Sequence, residues 1–496
     1  MAVIADKKDA VSVAGLEASA ISQSLEQQYT IKQHWKCLAA CTLMSMCPFQ
    51  YGLDFGLIGG LQAMVGFLRV FGYKDPSLPG GWNLSTERQQ LISSLMTLGA
   101  FVSAVAAGPT ATVMGRKTTV WVASVLCIVS NVIMMAATNI PGLYAGRLLL
   151  GIANGMFMTF SQNVHRQHRG LMISSFQVWT SVGSLVGTVV DNFTAKIDGR
   201  SAYLIPLGLI YIIPVLMSIG LLFVPESPRW LMQHGKMESK MQKSVGVWDM
   251  FRNPVDRRRT VLAICALTVQ GASGAMYMIA YGTYFFQMAD IGQPFENSCI
   301  LISVGVVAIL INSAVVTHFG RRRVFLVSGL ILCGISQLLV AIVYTVSPGT
   351  ESTGQAIVGL SVGMVATYAW ISGGELPSQR LPSYTFGLAT AIGVFAACLT
   401  TFTAPYFINP ESLNWGPKYG YIWTPSCIIS ALWVFFFLPE VKDRTLEEID
   451  EMFEARLPAR KFRKYVCAGR GERAVDEASG SDAKAGEVVH AEEVRP

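Results

Sequence analysis

The residues of this sequence best placed to do chemistry are ionisable and amide side chains that interrupt long apolar stretches. Asp54 stands in Tyr51-Gly52-Leu53-Asp54-Phe55-Gly56-Leu57-Ile58-Gly59-Gly60, and Arg147 in Ala145-Gly146-Arg147-Leu148-Leu149-Leu150. A charge at the middle of a bilayer costs about 2.5–3.5 kcal/mol on insertion scales, so such an Asp should face a protein interior with a cation near it. Arg147 reads as that cation, the only other ionisable residue deep in the N-terminal apolar segments. A carboxylate whose charge is balanced only while its Arg partner is close can take up and release a proton as the partner moves. The same pair can instead be a structural ion pair that orients two helices. Gln177, Gln270, Asn312 and Trp370 also lie in apolar stretches. An intramembrane amide serves either a polar ligand or a helix–helix hydrogen bond, and a Trp either stacks on a ligand or simply packs.

Composition says what must hold these groups. Of 496 residues 52% are apolar and 14% charged, and the mean hydropathy is +0.43. That is the profile of a polytopic membrane protein. Segments of about twenty residues, long enough to span a hydrocarbon core, fall near 37–66, 90–108, 118–138, 142–162, 171–191 and 202–224. Six more fall near 261–286, 298–317, 324–346, 355–374, 384–408 and 420–438. The expectation is an all-α membrane protein with twelve transmembrane helices in two six-helix bundles. A tail over 1–34 without a signal pattern precedes bundles over 35–228 and 261–438. A basic linker over 229–260 joins them, and a tail over 439–496 follows.

Two motifs repeat at nearly one interval. Gly115-Arg116-Lys117 returns as Gly320-Arg321-Arg322-Arg323, and Pro225-Glu226-Ser227-Pro228-Arg229 as Pro439-Glu440-Val441-Lys442-Asp443-Arg444. A duplicated architecture with one basic hinge per half follows, the plan of a two-bundle secondary transporter. The connections after even-numbered segments are rich in Lys and Arg, whereas 139–141, 287–297 and 347–354 hold none. By the positive-inside rule both termini are cytoplasmic. The sequons at Asn83 and Asn192 then lie outside, as candidate glycosylation sites. The stretch Leu446 to Phe453 has helical amphipathic spacing and runs into basic residues up to Lys464, so it should lie on the bundle or on an anionic leaflet.

Asp54-Phe55-Gly56 with Gly59-Gly60, Gly146-Arg147, the string Pro225 to Trp230, Glu375 after Trp370, and the endings Pro405 to Pro410 and Pro439 to Glu448 resemble the sugar porter family of the major facilitator superfamily, its fungal members in particular. The resemblance covers roughly residues 35–465. It implies alternating access, a sugar substrate, proton symport through Asp54 and Arg147, and a plasma-membrane location. It also implies sugar contacts from Gln177, Gln270 and Trp370, with Asn312 a further intramembrane amide off the family's usual asparagine position. Arg116, Glu226, Arg229, Arg321, Glu375 and Glu440 match the family's cytoplasmic gate charges.

Departures from that pattern are as informative. Gly271 stands where the family has a second glutamine and Met276 where it has an asparagine, so the site should be less polar than a typical hexose site. Thr112 and Thr317 replace acids of the gate, Pro382 replaces an Arg, and the connections over 161–169 and 231–260 are short. No phosphate-binding Gly-rich loop with Lys-Ser/Thr is present, which argues against a pump, and no nucleophile cluster suggests an enzyme. No metal or other cofactor is expected: Cys37, Cys41 and Cys47 fall in the first apolar span with no carboxylate among them, and His165 and His168 lack a third ligand. The basic residues are scattered between apolar runs, which excludes a nucleic-acid face and leaves the lipid bilayer, a sugar and protons as partners. A metabolite exporter on the same scaffold and a non-transporting sugar sensor are the rival readings.

Overall fold

The computed structural model describes residues 35–76, 81–161, 169–223, 249–288, 292–319, 322–348, 350–371, 382–440 and 446–465. The chain divides into two compact units, Met1–Met44 and Ser45–Pro496. Of the first, residues 35–44 form the opening turns of helix α1; all contacts below belong to the second.

The helices are α1 (Trp35–Leu61), α2 (Val65–Phe71), α3 (Thr86–Met114), α4 (Arg116–Ala136), α5 (Ile140–Ser161), α6 (Arg169–Thr194), α7 (Ser201–Leu209) and α8 (Ile212–Phe223). After α9 (Asp249–Arg252) come α10 (Pro254–Ala272), α11 (Ala275–Met288), α12 (Pro294–Phe319), α13 (Arg322–Val346), α14 (Glu351–Ile371), α15 (Pro382–Ile408), α16 (Gly420–Phe437) and α17 (Leu446–Glu454). One short antiparallel pair, β1 (Tyr73–Lys74) with β2 (Trp82–Asn83), sets Tyr73 opposite Asn83. Each of the twelve expected apolar segments coincides with a helix or a helix pair. Among the described residues eight stretches are long and apolar enough to cross a membrane, and α1 with α2 forms a further, bent pair. Helix α10 begins at Pro254, within the expected linker, where Asn253 accepts a hydrogen bond from the Val255 N–H at 3.1 Å.

Polarity is inverted relative to a water-soluble core. Val125, Val132, Ile219, Leu222, Phe223, Ile429 and Phe436 are exposed, whereas Gln50, Asp54, Asn154, Asp191, Gln337 and Thr401 are buried. Such a surface suits lipid, which leaves every interior polar group to find its partner within the protein. Packing repeats with the duplication: α3 on α5 returns as α12 on α14, α4 on α5 as α13 on α14, and α4 on α8 as α13 on α16. Across the two halves α3 lies on α15 and α6 on α12.

Helices α1 and α6 meet through glycines one turn apart. Added Cβ atoms at Gly52 and Gly56 would overlap the Thr180 and Ser184 backbones, and at Gly183 the carbonyl of Phe49. Small residues at four-residue spacing let backbones touch where lipid offers no hydrophobic drive between helices. The seventh span is broken between α10 and α11, where Gly274 takes φ +74°. The carbonyls freed there are matched: Ser426 Oγ donates to Ala272 O at 2.7 Å and Gln337 Nε2 to Ser273 O at 2.6 Å. The thiols of Cys333 and Cys427 also point at Ser273 O.

Candidate functional site

Next to this break lies a cavity of about 180 Å³. Its walls come from both halves: α1 gives Tyr51 and Phe55, α6 gives Phe176, Gln177 and Ser184, and α10 gives Gln270 and Gly271. Met276 and Ile279 of α11, Ile302 and Ile309 of α12, Tyr368 of α14 and Thr390 of α15 complete it. The two glutamines singled out by sequence therefore face one space, and Gly271 and Met276 line it with apolar surface as their types imply. Asn312 is buried on α12 but does not line the cavity. Two hydroxyls escaped the sequence reading, Ser184 Oγ and Thr390 Oγ1. Both are buried without a hydrogen-bond partner and both belong to cavity-lining residues. A buried unpaired hydroxyl is costly, about 1–3 kcal/mol, unless a ligand or water completes it.

Asp54 sits outside the cavity wall, fully buried. Its carboxylate accepts from Gln50 Nε2 at 3.0 Å and from Asn154 Nδ2 at 2.5 Å. The direct partners are thus two amides, and Arg147 acts on Asp54 through space without a hydrogen bond to it. Arg147 Nη1 points at Met96 Sδ, 3.9 Å away, and its Nε has no partner. The spacing was readable, since Asn154 lies two turns after Arg147 on α5 and Gln50 one turn before Asp54, but uncharged amides drew no notice beside the charges. Nor is Arg147 the only other ionisable residue deep in the first half: Asp191 of α6 is fully buried too.

Following the loop charges, the end that carries Asn83 is called the outer end. There the halves are clasped over the cavity. Glu411 Oε2 accepts from the Thr86 N–H at 2.9 Å, capping α3 from the other half, and Thr86 Oγ1 lies 2.8 Å from Ser412 Oγ. Asn409 Nδ2 donates to Leu84 O at 3.0 Å and to Gln89 Oε1 at 3.1 Å. Tyr284 OH donates to Asn83 Oδ1 at 3.2 Å, and Asn83 Nδ2 donates to Tyr73 OH at 3.3 Å. Asn83 is 1% exposed, so in this arrangement it cannot present its amide for glycosylation. The sequon pattern is local and took no account of the clasp. Asn192, half-buried near the end of α6, lacks that obstacle.

Of the expected inner gate, Glu440 Oε2 accepts from the Arg323 N–H at 3.3 Å at the start of α13. Glu226, Arg229, Arg321 and Glu375 lie outside the described residues, as do the side chains of Arg116, Thr112, Thr317, Pro382 and Trp370, and the connection with His165 and His168. Beside Glu440, α17 has settled on the protein rather than projecting toward lipid. Ile449, Met452, Phe453 and Phe462 pack on Leu262, and the guanidiniums of Arg258 and Arg259 stand 5.5 and 4.6 Å from the Phe453 ring. Among the described residues no group of three or more His, Cys, Asp or Glu could hold a metal ion.

Two duplicated helical halves, one cavity between them, a clasp at one end and an intramembrane acid define a membrane transporter of the major facilitator fold. The family pattern described as sugar (and other) transporter matches residues 40–453, and the chain belongs to that family. The major facilitator-type transporter ecdD of Aspergillus rugulosus is 25% identical, over 91% of this chain and 94% of its own. The hexose transporter HXT10 of Saccharomyces cerevisiae is also 25% identical, over 88% of this chain and 89% of its own. Among solved structures, the partially occluded inward-open xylose transporter XylE from E. coli superposes with a TM-score of 0.65 at 20% identity. It covers 82% of this chain and 99% of that one, a likeness of fold.

Proposed function

We propose that this protein carries a sugar of hexose or α-glucoside type across the plasma membrane together with a proton, by alternating access, with both termini in the cytoplasm. The observation that carries the reading is the pair Gln177 and Gln270, brought from opposite halves to one cavity that also holds aromatic rings. A sugar offers adjacent hydroxyls to amides and its C–H face to aromatic rings. Gln177, Gln270, Ser184 and Thr390 serve the hydroxyls, while Tyr51, Phe55, Phe176 and Tyr368, with Trp370, serve the ring. A hexose relative supports the substrate class.

Asp54 carries the proton in this reading. Amides donate to a carboxylate and accept from a carboxylic acid, and Gln50 Oε1 and Asn154 Oδ1 are both without partners. The Gln50–Asn154 cradle therefore suits either charge state. When the proton leaves, Arg147 is the cation that can approach. The halves 35–228 and 261–438, joined by 229–260, rock about the cavity. Arg116, Glu226, Arg229, Arg321, Glu375 and Glu440 close the inner side as the clasp closes the outer.

Gly271, Met276, Ile279, Ile302 and Ile309 make one flank of the cavity apolar, which favours a second reading, export of a less polar metabolite. Uptake of radiolabelled mono- and disaccharides into yeast lacking its own hexose porters separates the two. Saturable uptake of one sugar supports the first; no uptake from protein verified at the cell surface rejects it.

A further inference from the structure

Asp191 is used by nothing described so far. It is fully buried, its carboxylate has no side-chain partner, and the one polar group against it is the backbone N–H of Gly60. It continues the small-residue stripe of α6, one turn after Gly187 and two after Gly183, and its carboxyl fills the space left by Gly60 on α1, where a Cβ would collide with it. The site lies in the last turn of α6, where the negative end of the helix dipole opposes an anion.

The groups around it offer no cation. From α12 it faces Cys299, with Glu296 one turn further out. On α1 the nearest acid is Asp54, inward along the helix and tied to Gln50 and Asn154. On α7 the Tyr203 hydroxyl is engaged by Arg200. Beyond the bend Arg69 is exposed, as are Lys196, Asp198 and Arg200 in the loop after α6. A charged carboxylate here would bear most of the cost of burial, with one backbone N–H to offset it, whereas the protonated, neutral carboxyl escapes that cost.

The same carboxyl sits at the seam that closes the outer end. Cys299 Sγ donates to Thr188 O across the α6–α12 contact at 3.5 Å, and Gly59, beside Gly60, packs on the Ala280 backbone of α11. Separation of the halves at this end exposes the seam to water.

We infer that Asp191 is a second proton-binding site, and that its proton is required for the outer end to close. The closed arrangement then holds a proton that the open one releases, so raising the external pH shifts the population toward the open form. This goes beyond the sugar–proton reading and does not depend on Asp54.

The test uses the full chain in lipid vesicles without any sugar. Infrared spectra follow the carbonyl band of a protonated carboxylic acid. Spin labels at Lys196 and Lys418, both exposed at the outer end, follow its opening in a background stripped of reactive cysteines. Expected are a carboxylic-acid band lost in Asp191→Asn but kept in Asp54→Asn, and an opening that grows from acid to mildly alkaline pH in wild type but is independent of pH in Asp191→Asn. With Asp54 replaced by Asn throughout, so that its own carboxyl adds no signal, a band that survives Asp191→Asn overturns the proposal. A band that vanishes while opening still follows pH overturns it as well, since the proton would then be static. Should Asp191→Asn fail to fold, Asp191→Glu replaces it: a displaced band and a displaced pH midpoint support the site, and an unmoved pair rejects it.

Discussion

At the scale of single residues, the cavity amides make separate contributions. Loss of a buried hydrogen bond to a sugar hydroxyl costs about 1–3 kcal/mol. Gln177→Ala and Gln270→Ala should therefore each raise the KM for the transported sugar by roughly five- to a hundredfold, with normal surface expression, as read from uptake kinetics. Ser184→Ala should cost less, because Ser184 Oγ has no protein partner to strand. The glutamines were legible because they stand at positions where the resembling family has sugar-contacting glutamines; Gln50 and Asn154, also amides in apolar runs, carried no such match. Asp54 was legible as a charge in an apolar run, but its partners were not: charge pairing suggested Arg147, and only the packing of α1 on α5 brings Asn154 within 2.5 Å. Asp191 was missed because it abuts a sequon and a polar loop, so the sequence reads as a span already ended.

At the scale of elements, the tight crossing of α1 and α6 depends on glycine. A Cβ at Gly52 would run into the Thr180 carbonyl and backbone. Gly52→Ala should thus force the helices apart and destabilise the fold by about 1–3 kcal/mol, seen as a lowered melting temperature in detergent. At the other end of the molecule, Phe453 anchors α17 on Leu262 and beneath Arg259. Removing a packed Phe side chain costs about 3–5 kcal/mol, more than a short helix can lose. Phe453→Ala should release α17, and limited proteolysis at its flanks should accelerate. Hydropathy revealed where the spans run and amphipathic spacing revealed α17. Neither could show the break at Gly274 nor that α17 would choose protein over lipid. Both outcomes depend on partners distant in sequence, Gln337 and Ser426 for the first, Leu262 for the second.

At the scale of the whole molecule, the chain is held with its outer end clasped, and Glu411 is the residue that joins the halves most directly. Glu411→Ala leaves the start of α3 without its cap, a loss of about 0.5–2 kcal/mol. That should move the population toward the outward-open form by roughly two- to thirtyfold, seen as faster labelling of a Tyr284→Cys thiol by an impermeant reagent. The duplication of motifs foretold two halves, and the helix contacts repeat with it. Which residues clasp the outer end was hidden, because Asn409, Glu411 and Asn83 lie between the long helices and their partners lie across the molecule.

The central claim is that a proton moves with the sugar through Asp54. The direct measurement is proton flux in vesicles reconstituted with the purified protein, with an external pH indicator and a gradient of the sugar identified by uptake, comparing wild type with Asp54→Asn. The account predicts alkalinisation outside the vesicles as sugar enters wild type, and none with Asp54→Asn although that variant still exchanges sugar across the membrane. Sugar entry without any pH change in wild type, or alkalinisation that persists undiminished in Asp54→Asn, would contradict it and leave the Gln50–Asp54–Asn154 cluster as a structural tie between α1 and α5.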